Sequence, residues 1–264
     1  MHLNGSRLYA IPALSLRFVA VWRRNWLVWR KLAMASVLGN LADPLIMLFG
    51  LGYGLGAALG NVGGTSYFEF LAAGMVASST MYAATFEALF SAFSRMHVQK
   101  TWEAIVNAPM LLEDVLAGEW TWAATKAFSA GICMLLVIAL LGYSHSPLAL
   151  AAIPVLVLIG LAFSSLGLAV NALAYGYDFF SYYMTLVLTP MLMLSGVFFP
   201  FENLPAAVQA VSMALPLYHG VVLVRPLLLG EVPPAALLHI GVLVFYSLAG
   251  FYLAVVLSRR RLLK

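Results

Sequence analysis

Between Lys126 and Asp178 the chain carries no Asp, Glu, Lys or Arg. A water-soluble domain needs polar faces on its helices or strands and does not tolerate so long an apolar tract. A bilayer does, and a helix crosses its hydrocarbon core with about 20 apolar residues. The tract is too long for one crossing, and Tyr143-Ser144-His145-Ser146-Pro147 interrupts it with turn-forming residues. It therefore reads as parts of two successive membrane helices, 119–141 and 148–173.

The rest of the chain follows the same pattern. Of 264 residues, 63% are hydrophobic and 9% charged, whereas soluble domains run at roughly 45–50% apolar and about 25% charged. A charge at the bilayer centre is expensive, so the gaps between charges locate further spans at 36–59, 68–93, 179–199 and 235–257. Segment 203–224 also lacks charge, but Pro205 and Pro216 break it, and Asn203, Gln209, Ser212 and His219 dilute it. Counting it as a span would separate Arg259, Arg260 and Arg261 from the other basic clusters, which are Arg7, Arg17, Arg23, Arg24, Arg30 and Lys31, and Arg95 with Lys100. Basic residues collect on the cytoplasmic side. The expectation is an all-α polytopic membrane protein, one domain over 1–264, with six spans and both termini cytoplasmic. Residues 201–224 are then a re-entrant outer segment buried in protein, since irregular backbone cannot face lipid.

Several functions are excluded. The length leaves no room for a nucleotide-hydrolysing domain of roughly 150 residues, and no G-x-x-x-x-G-K-[ST] phosphate cradle occurs. No G-x-S-x-G elbow is present, and His2, His97, His145, His219 and His239 show no metal-ligand spacing. The intramembrane carboxylates read as single rather than paired, with no chain of charges for a proton relay. No enzyme chemistry, metal or cofactor is expected. The single cysteine, Cys133, excludes an intramolecular disulfide. The net charge of +4 is explained by membrane topology, so no nucleic-acid partner is expected. Pro12 and Arg17 interrupt the only early apolar stretch, and no signal peptide is expected.

Some segments do more than span. At about 100° per residue, Phe18, Trp22, Trp26 and Trp29 share one arc, while Arg17, Arg23, Arg24, Arg30 and Lys31 occupy the other. Indoles favour the headgroup level and arginines snorkel, so 8–34 reads as a helix lying against membrane lipid. In the cytoplasmic loop 95–118, Lys100 to Asn107 predicts a short helix stopped near Pro109. Its Trp102, Ile105 and Val106 form an apolar patch beside Lys100, Thr101 and Glu103, which suits either docking of a partner protein or packing back on the bundle. Gly52, Gly56 and Gly60 stand in GxxxG spacing, a packing or dimer face. Asp43-Pro44 looks like a helix N-cap and first turn, with a break before the span proper. Glu87 is either a gate or substrate contact, or a structurally bonded group. Glu119 and Lys126 are explained by snorkelling at the cytoplasmic end of their span. Tyr82, Phe86, Phe90 and Phe93 make one aromatic stripe that serves either a translocation path or helix packing.

These elements together resemble a known family. The run Leu194-Ser195-Gly196-Val197-Phe198-Phe199-Pro200-Phe201-Glu202-Asn203-Leu204-Pro205, then Leu215-Pro216-Leu217-Tyr218-His219 and the stretch from Arg225 to Gly230, is similar to the type-2 ABC exporter permeases. Leu41-Ala42-Asp43-Pro44-Leu45, Phe70-Leu71-Ala72-Ala73-Gly74-Met75, Ala84-Thr85-Phe86-Glu87 and Thr101-Trp102-Glu103-Ala104 resemble the narrower group of nodulation-factor export permeases. The resemblance implies a homodimeric permease in the bacterial inner membrane. Separate cytoplasmic ATPase subunits would bind ATP and Mg and dock on Lys100, Thr101, Trp102, Glu103, Ile105 and Val106. Tyr82, Phe86, Glu87 and Phe90 would flank the path, and Pro200, Glu202, Pro205, Pro216, His219 and Arg225 would build the outer re-entrant region. The cargo implied is a lipochitooligosaccharide. This loop has Asn107-Ala108-Pro109 where many relatives carry Thr-Pro. A drug or polysaccharide permease, or a non-transporting membrane scaffold, are the alternative readings.

Overall fold

The computed structural model describes residues 8–262 except 63, 108, 109 and 145, and the Val106 side chain is also outside the described set. Pro109, the expected stop of the loop helix, and His145 therefore lie outside the described residues. Helices dominate: α1 (Phe18–Trp29), α2 (Ala33–Leu59), α3 (Tyr67–Phe86), α4 (Thr101–Val106), α5 (Leu112–Leu140), α6 (Ala152–Leu173), α7 (Asp178–Tyr183), α8 (Thr189–Leu194), α9 (Ala206–Ser212), α10 (Pro216–Leu229) and α11 (Ala236–Leu262). A two-residue antiparallel pair, β1 (Asn61–Val62) and β2 (Thr65–Ser66), turns α2 into α3. There Ser66 and Glu69 form a reciprocal capping box, which satisfies two of the orphan donors at the start of α3.

Four helices, α2, α5, α6 (with its 3₁₀ lead-in, Pro147–Leu173) and α11, are long and apolar enough to cross a membrane, and the α9–α10 pair would make a fifth. The other two expected spans are of a different kind. Helix α3 is central and buried on nearly every face, so it carries Ser78, Ser79, Thr80 and Thr85 where a lipid-facing helix would carry leucine. It runs on through π turns at Glu87–Ser91 and Ser94–Val98. The segment expected at 179–199 is one shorter helix, Asp178–Leu194: α7 passes through a π turn (Met184–Leu188) into α8 and ends at Leu194. Pro190 has no N–H for a carbonyl four residues back, and the Thr189 hydroxyl donates to the Met184 carbonyl at 3.1 Å. Gly196, at φ 73°, then turns the chain away.

Helices α9 and α10 meet at a 90° bend, with Pro216 opening α10 and Gly230 closing it in the left-handed conformation. Asp43-Pro44 does not begin a helix. Both lie inside the continuous α2, because a membrane helix can continue past a proline when its surroundings absorb the lost hydrogen bond. Within the expected segment 8–34, helix α1 runs over Phe18–Trp29 and α2 begins at Ala33, while residues 11–15 have no regular secondary structure. That segment is tied down where Ser15 donates to the Asp114 carboxylate through its N–H (2.9 Å) and its hydroxyl (3.0 Å).

Small residues set the interhelical spacing. A Cβ on Gly167 would lie 2.7 Å from the Ala88 Cβ, so α6 and the continuation of α3 approach to backbone contact. At the end of α6, Arg261 donates to the Asn171 (3.0 Å) and Ala172 (3.1 Å) carbonyls, placing a cation at a helix C-terminus. Helix α2 stands apart, with Pro44, Leu48 and Gly52 its only fully buried residues.

Candidate functional site: a buried ion cluster beside an apolar cavity

Four of the chain's charges converge at one end of the bundle. Glu87, on the π turn after α3, and Glu119, on α5, are both almost fully buried. Between them lies Arg95, from the second π turn. Its Nη2 is 2.9 Å from the Glu87 Oε1 and 2.5 Å from the Glu119 Oε2, and its Nε is 2.9 Å from the Glu119 Oε1. The Lys126 Nζ reaches the other Glu87 oxygen at 2.8 Å. Two carboxylates and two cations thus neutralise one another, which a low-dielectric interior demands. Burial alone would lower the Arg95 pKa, but Glu119 and Glu87 reverse that and raise it above the ordinary guanidinium value.

Neutral donors complete the cluster. The Trp122 indole donates to Glu87 (2.8 Å), the Trp102 indole to Glu119 (3.2 Å) and the Asn25 amide to Glu119 (3.2 Å). Arg24 approaches Glu119 at 3.5 Å with its side chain 30% exposed. One hydrogen-bonded unit therefore joins α1 (Arg24, Asn25), the end of α3 (Glu87, Arg95), α4 (Trp102) and α5 (Glu119, Trp122, Lys126). Such a unit transmits displacement of one element to the others, because any partial break strands a buried charge.

Three expectations change here. Glu119 and Lys126 do not simply snorkel: each is held by a specific partner across a helix interface. The two carboxylates are not independent, since they share Arg95. Arg24 turns inward to Glu119 instead of lying on a uniformly outward basic arc with Arg23 and Arg30, which are exposed. Arg17 is also exposed, at the N-cap of α1. The tryptophans of α1 pack on α5: the Trp22 indole donates to Thr125 (3.0 Å), and Trp26 and Trp29 meet the edge of Trp122 at 6.5 and 6.0 Å between centroids.

The α4 helix is two-sided. Trp102 is 2% exposed and Ile105 half-buried, both against the bundle, while Lys100 and Glu103 are exposed and Thr101 is intermediate. The apolar patch read as a docking surface is thus largely an anchor, and the outward face is polar. Lys100 sits at φ 51°, a left-handed conformation forced by the reversal between the π turn and α4.

The aromatic stripe leads from this cluster into a cavity. Tyr82, Phe86 and Phe90 stack in sequence, and Phe90 continues onto Tyr177 with rings 8° apart. Tyr82 and Phe86 line a cavity of about 510 Å³. Helix α2 contributes Asn40, Asp43, Pro44 and Met47, α3 contributes Met75, Ser78 and Ser79, and the α7–α8 segment contributes Met184 and Leu192. Phe90 and Glu87 do not line it; Glu87 belongs to the ion cluster one residue beyond Phe86.

At the opposite end, Arg225 lies 3.7 Å over the Phe70 ring and donates to the Gly196 carbonyl at 2.6 Å, fixing α10 to the turn after α8. The His219 Nε2 faces the Met213 carbonyl at 2.9 Å and must donate to it, so in the neutral pair its Nδ1 accepts from the His239 Nδ1–H across 2.7 Å. Pro200 precedes the 3₁₀ turn Phe201–Asn203 that carries exposed Glu202, and Pro205 precedes α9. These residues shape and fasten the bent pair.

Sequence reasoning overlooked Arg95, Asn25, Trp122 and Asn40 as site residues. A signal for the cluster was present: Glu87, Arg95, Glu119 and Lys126 balance in sign near one membrane boundary, where ionisable residues pair.

A family model described as the ABC-2 type transporter matches residues 17–229. The chain is 52% identical to Nodulation protein J of Rhizobium leguminosarum bv. viciae, over 96% of this chain and 98% of that protein. It is 52% identical to Nodulation protein J of Rhizobium meliloti (strain 1021), over 96% and 97% respectively. It is 28% identical to the Inner membrane transport permease YadH of Escherichia coli (strain K12), over 96% and 94%.

Proposed function

The chain belongs to the ABC-2 type transporter family, and from that premise we propose that it is the permease subunit of an ATP-driven exporter whose ATPase is a separate cytoplasmic chain. The observation that carries this reading is the fastening of α4 through Trp102 to the Glu119–Arg95–Glu87 unit, one residue from the cavity-lining Phe86. An ATPase engaging the outward face of α4, through Lys100, Thr101 and Glu103, would move a rigid element that ends at the cavity wall. Trp102 and Ile105 then hold the docking helix, and the exposed residues meet the partner.

In this reading the permease sits in the bacterial inner membrane with six spans, the four long helices plus α3 and the shorter α7–α8 helix. Both termini are cytoplasmic, α1 lies at the inner interface, and α9–α10 dips in from the outer face. A homodimer closes the path along α2, whose Gly50 and Gly54 have open space at their Cβ positions. The cargo is an amphiphilic glycan such as a lipochitooligosaccharide, a reading supported by the similarity to proteins named for nodulation.

The decisive experiment is co-purification with candidate ATPases. Reversing the exposed charges (Lys100→Glu with Glu103→Lys) abolishes ATPase association while the permease remains monodisperse. If association and stimulated ATP hydrolysis persist in that variant, the docking assignment is wrong. Fusing a reporter active only in the periplasm to the C-terminus yields no signal; activity there would overturn the six-span topology.

A further inference from the structure

The cavity between α2, α3 and the α7–α8 segment has an unusual polarity. No Lys or Arg lines it. The Ser78 hydroxyl donates to the Met75 carbonyl (3.2 Å) and the Ser79 hydroxyl to the Val76 carbonyl (3.2 Å), so their hydrogens are committed to their own helix and lone pairs remain for the cavity. Pro44 has no N–H to offer the Asn40 carbonyl, the acceptor four residues before it, which frees a backbone acceptor at the cavity wall. One turn from it stands the Asp43 carboxylate, without a hydrogen bond or ion pair among the described residues. The Asn40 amide and the Tyr82 hydroxyl add neutral polar groups, and the rest of the lining is apolar and adaptable, with Met47, Met75 and Met184 among it.

An apolar chamber with a few convergent acceptors and no cation has a definite ligand preference. Hydroxyl, amide N–H or ammonium groups satisfy the acceptors, and an acyl chain lies along the methionines. A phosphate or carboxylate would find no cation to offset its charge, only the neutral donors of the Asn40 amide and the Tyr82 hydroxyl, and would be repelled by Asp43, a discrimination built from a repulsive element. We propose that Asp43 is the specificity-determining residue of this cavity. It selects amphiphiles with an uncharged or amino-bearing sugar headgroup and rejects those joined to their lipid through phosphate. The proposal rests on the export reading and adds the residue that sets which headgroup charge the cavity accepts.

The test uses the full permease with its ATPase in lipid nanodiscs and two labelled probes of equal acyl length, an N-acylated chitotetraose and an alkyl phosphate-linked N-acetylglucosamine. Binding and stimulation of ATP hydrolysis are both measured. The wild type prefers the N-acylated probe by about tenfold or more, corresponding to ~1.4 kcal/mol. Asp43→Asn, nearly isosteric, reduces the preference below about threefold, and Asp43→Glu, which keeps the carboxylate, retains it. If a folded, ATPase-associated Asp43→Asn complex keeps the wild-type preference, the proposal is overturned. The same holds if the wild type binds both probes equally, although the export reading survives. If the assembled wild-type complex binds neither probe, both the cavity assignment and the glycan-export reading fall.

Discussion

Replacing Glu119 by Gln tests whether the ion cluster is one mechanical unit. The substitution preserves shape and removes one charge from a fully buried position. Glu119 accepts from Arg95 at both oxygens, from Trp102 and from Asn25. In the variant, the amide nitrogen must face at least one of these donors, and Arg95 and Lys126 are left with Glu87 as their only carboxylate in the cluster. Breaking one side of a buried ion pair costs about 3–5 kcal/mol. For a chain of this size each kcal/mol moves the melting temperature by about 2–4 °C, so a loss of about 3 kcal/mol lowers it by roughly 6–12 °C. Adding Arg95→Gln restores charge balance, because Glu87 keeps Lys126 at 2.8 Å. The double variant is therefore less destabilised than the sum of the singles, with a coupling of about 1–3 kcal/mol. Melting is followed by loss of the monodisperse peak in detergent, alongside ATPase stimulation, which falls in Glu119→Gln even where the ATPase still binds. A shift under about 2 °C, or strict additivity, would refute the cluster as a cooperative unit.

Other positions give sharper contrasts. Gly118→Ala places a Cβ 2.5 Å from the Val21 Cβ and 2.8 Å from the Phe18 carbonyl. It should cost about 1–3 kcal/mol by prying α1 from α5, read as faster proteolysis between Arg17 and Arg30. Gly74→Ala, 2.9 Å from the Val197 carbonyl, should destabilise the protomer, while Gly54→Ala meets nothing within 4 Å and should leave its melting unchanged, affecting only self-association measured by light scattering. Arg259→Met removes a guanidinium bound to Glu113 at 2.8 Å and to the Ala10 carbonyl at 2.6 Å, and should lower the melting temperature clearly more than the same change at exposed Arg260. Lys100→Gly relieves a left-handed lysine and should stabilise by up to about 1 kcal/mol, visible as a higher melting temperature.

The linear pattern of charge and hydropathy determined the helical membrane class and marked 95–118 and 201–224 as regions unlike the long apolar helices. It could do so because the bilayer acts on each segment separately: every helix must satisfy its own backbone and hide its own charges. What failed were inferences about pairs. Glu119 and Lys126 looked like independent snorkelling residues, and Trp102 read equally as a docking contact or as packing on the bundle. Only their meeting with Arg95 and Glu87 makes them one cluster. Asp43-Pro44 carried a local signature of helix initiation, which α2 overrides because its hydrogen-bond ladder resumes beyond the proline. Glu87 does not line the cavity with Phe86 because consecutive residues of a helix point about 100° apart, which turns its carboxylate to α5 and Lys126. The sequence by itself therefore determined that this is a membrane-embedded helical bundle and where its unusual segments lie. The tertiary structure alone decided which charges neutralise one another and which acceptors face the cavity. Lipid imposes its requirement residue by residue, whereas electrostatic pairing in a low dielectric depends on distances between residues far apart in the chain.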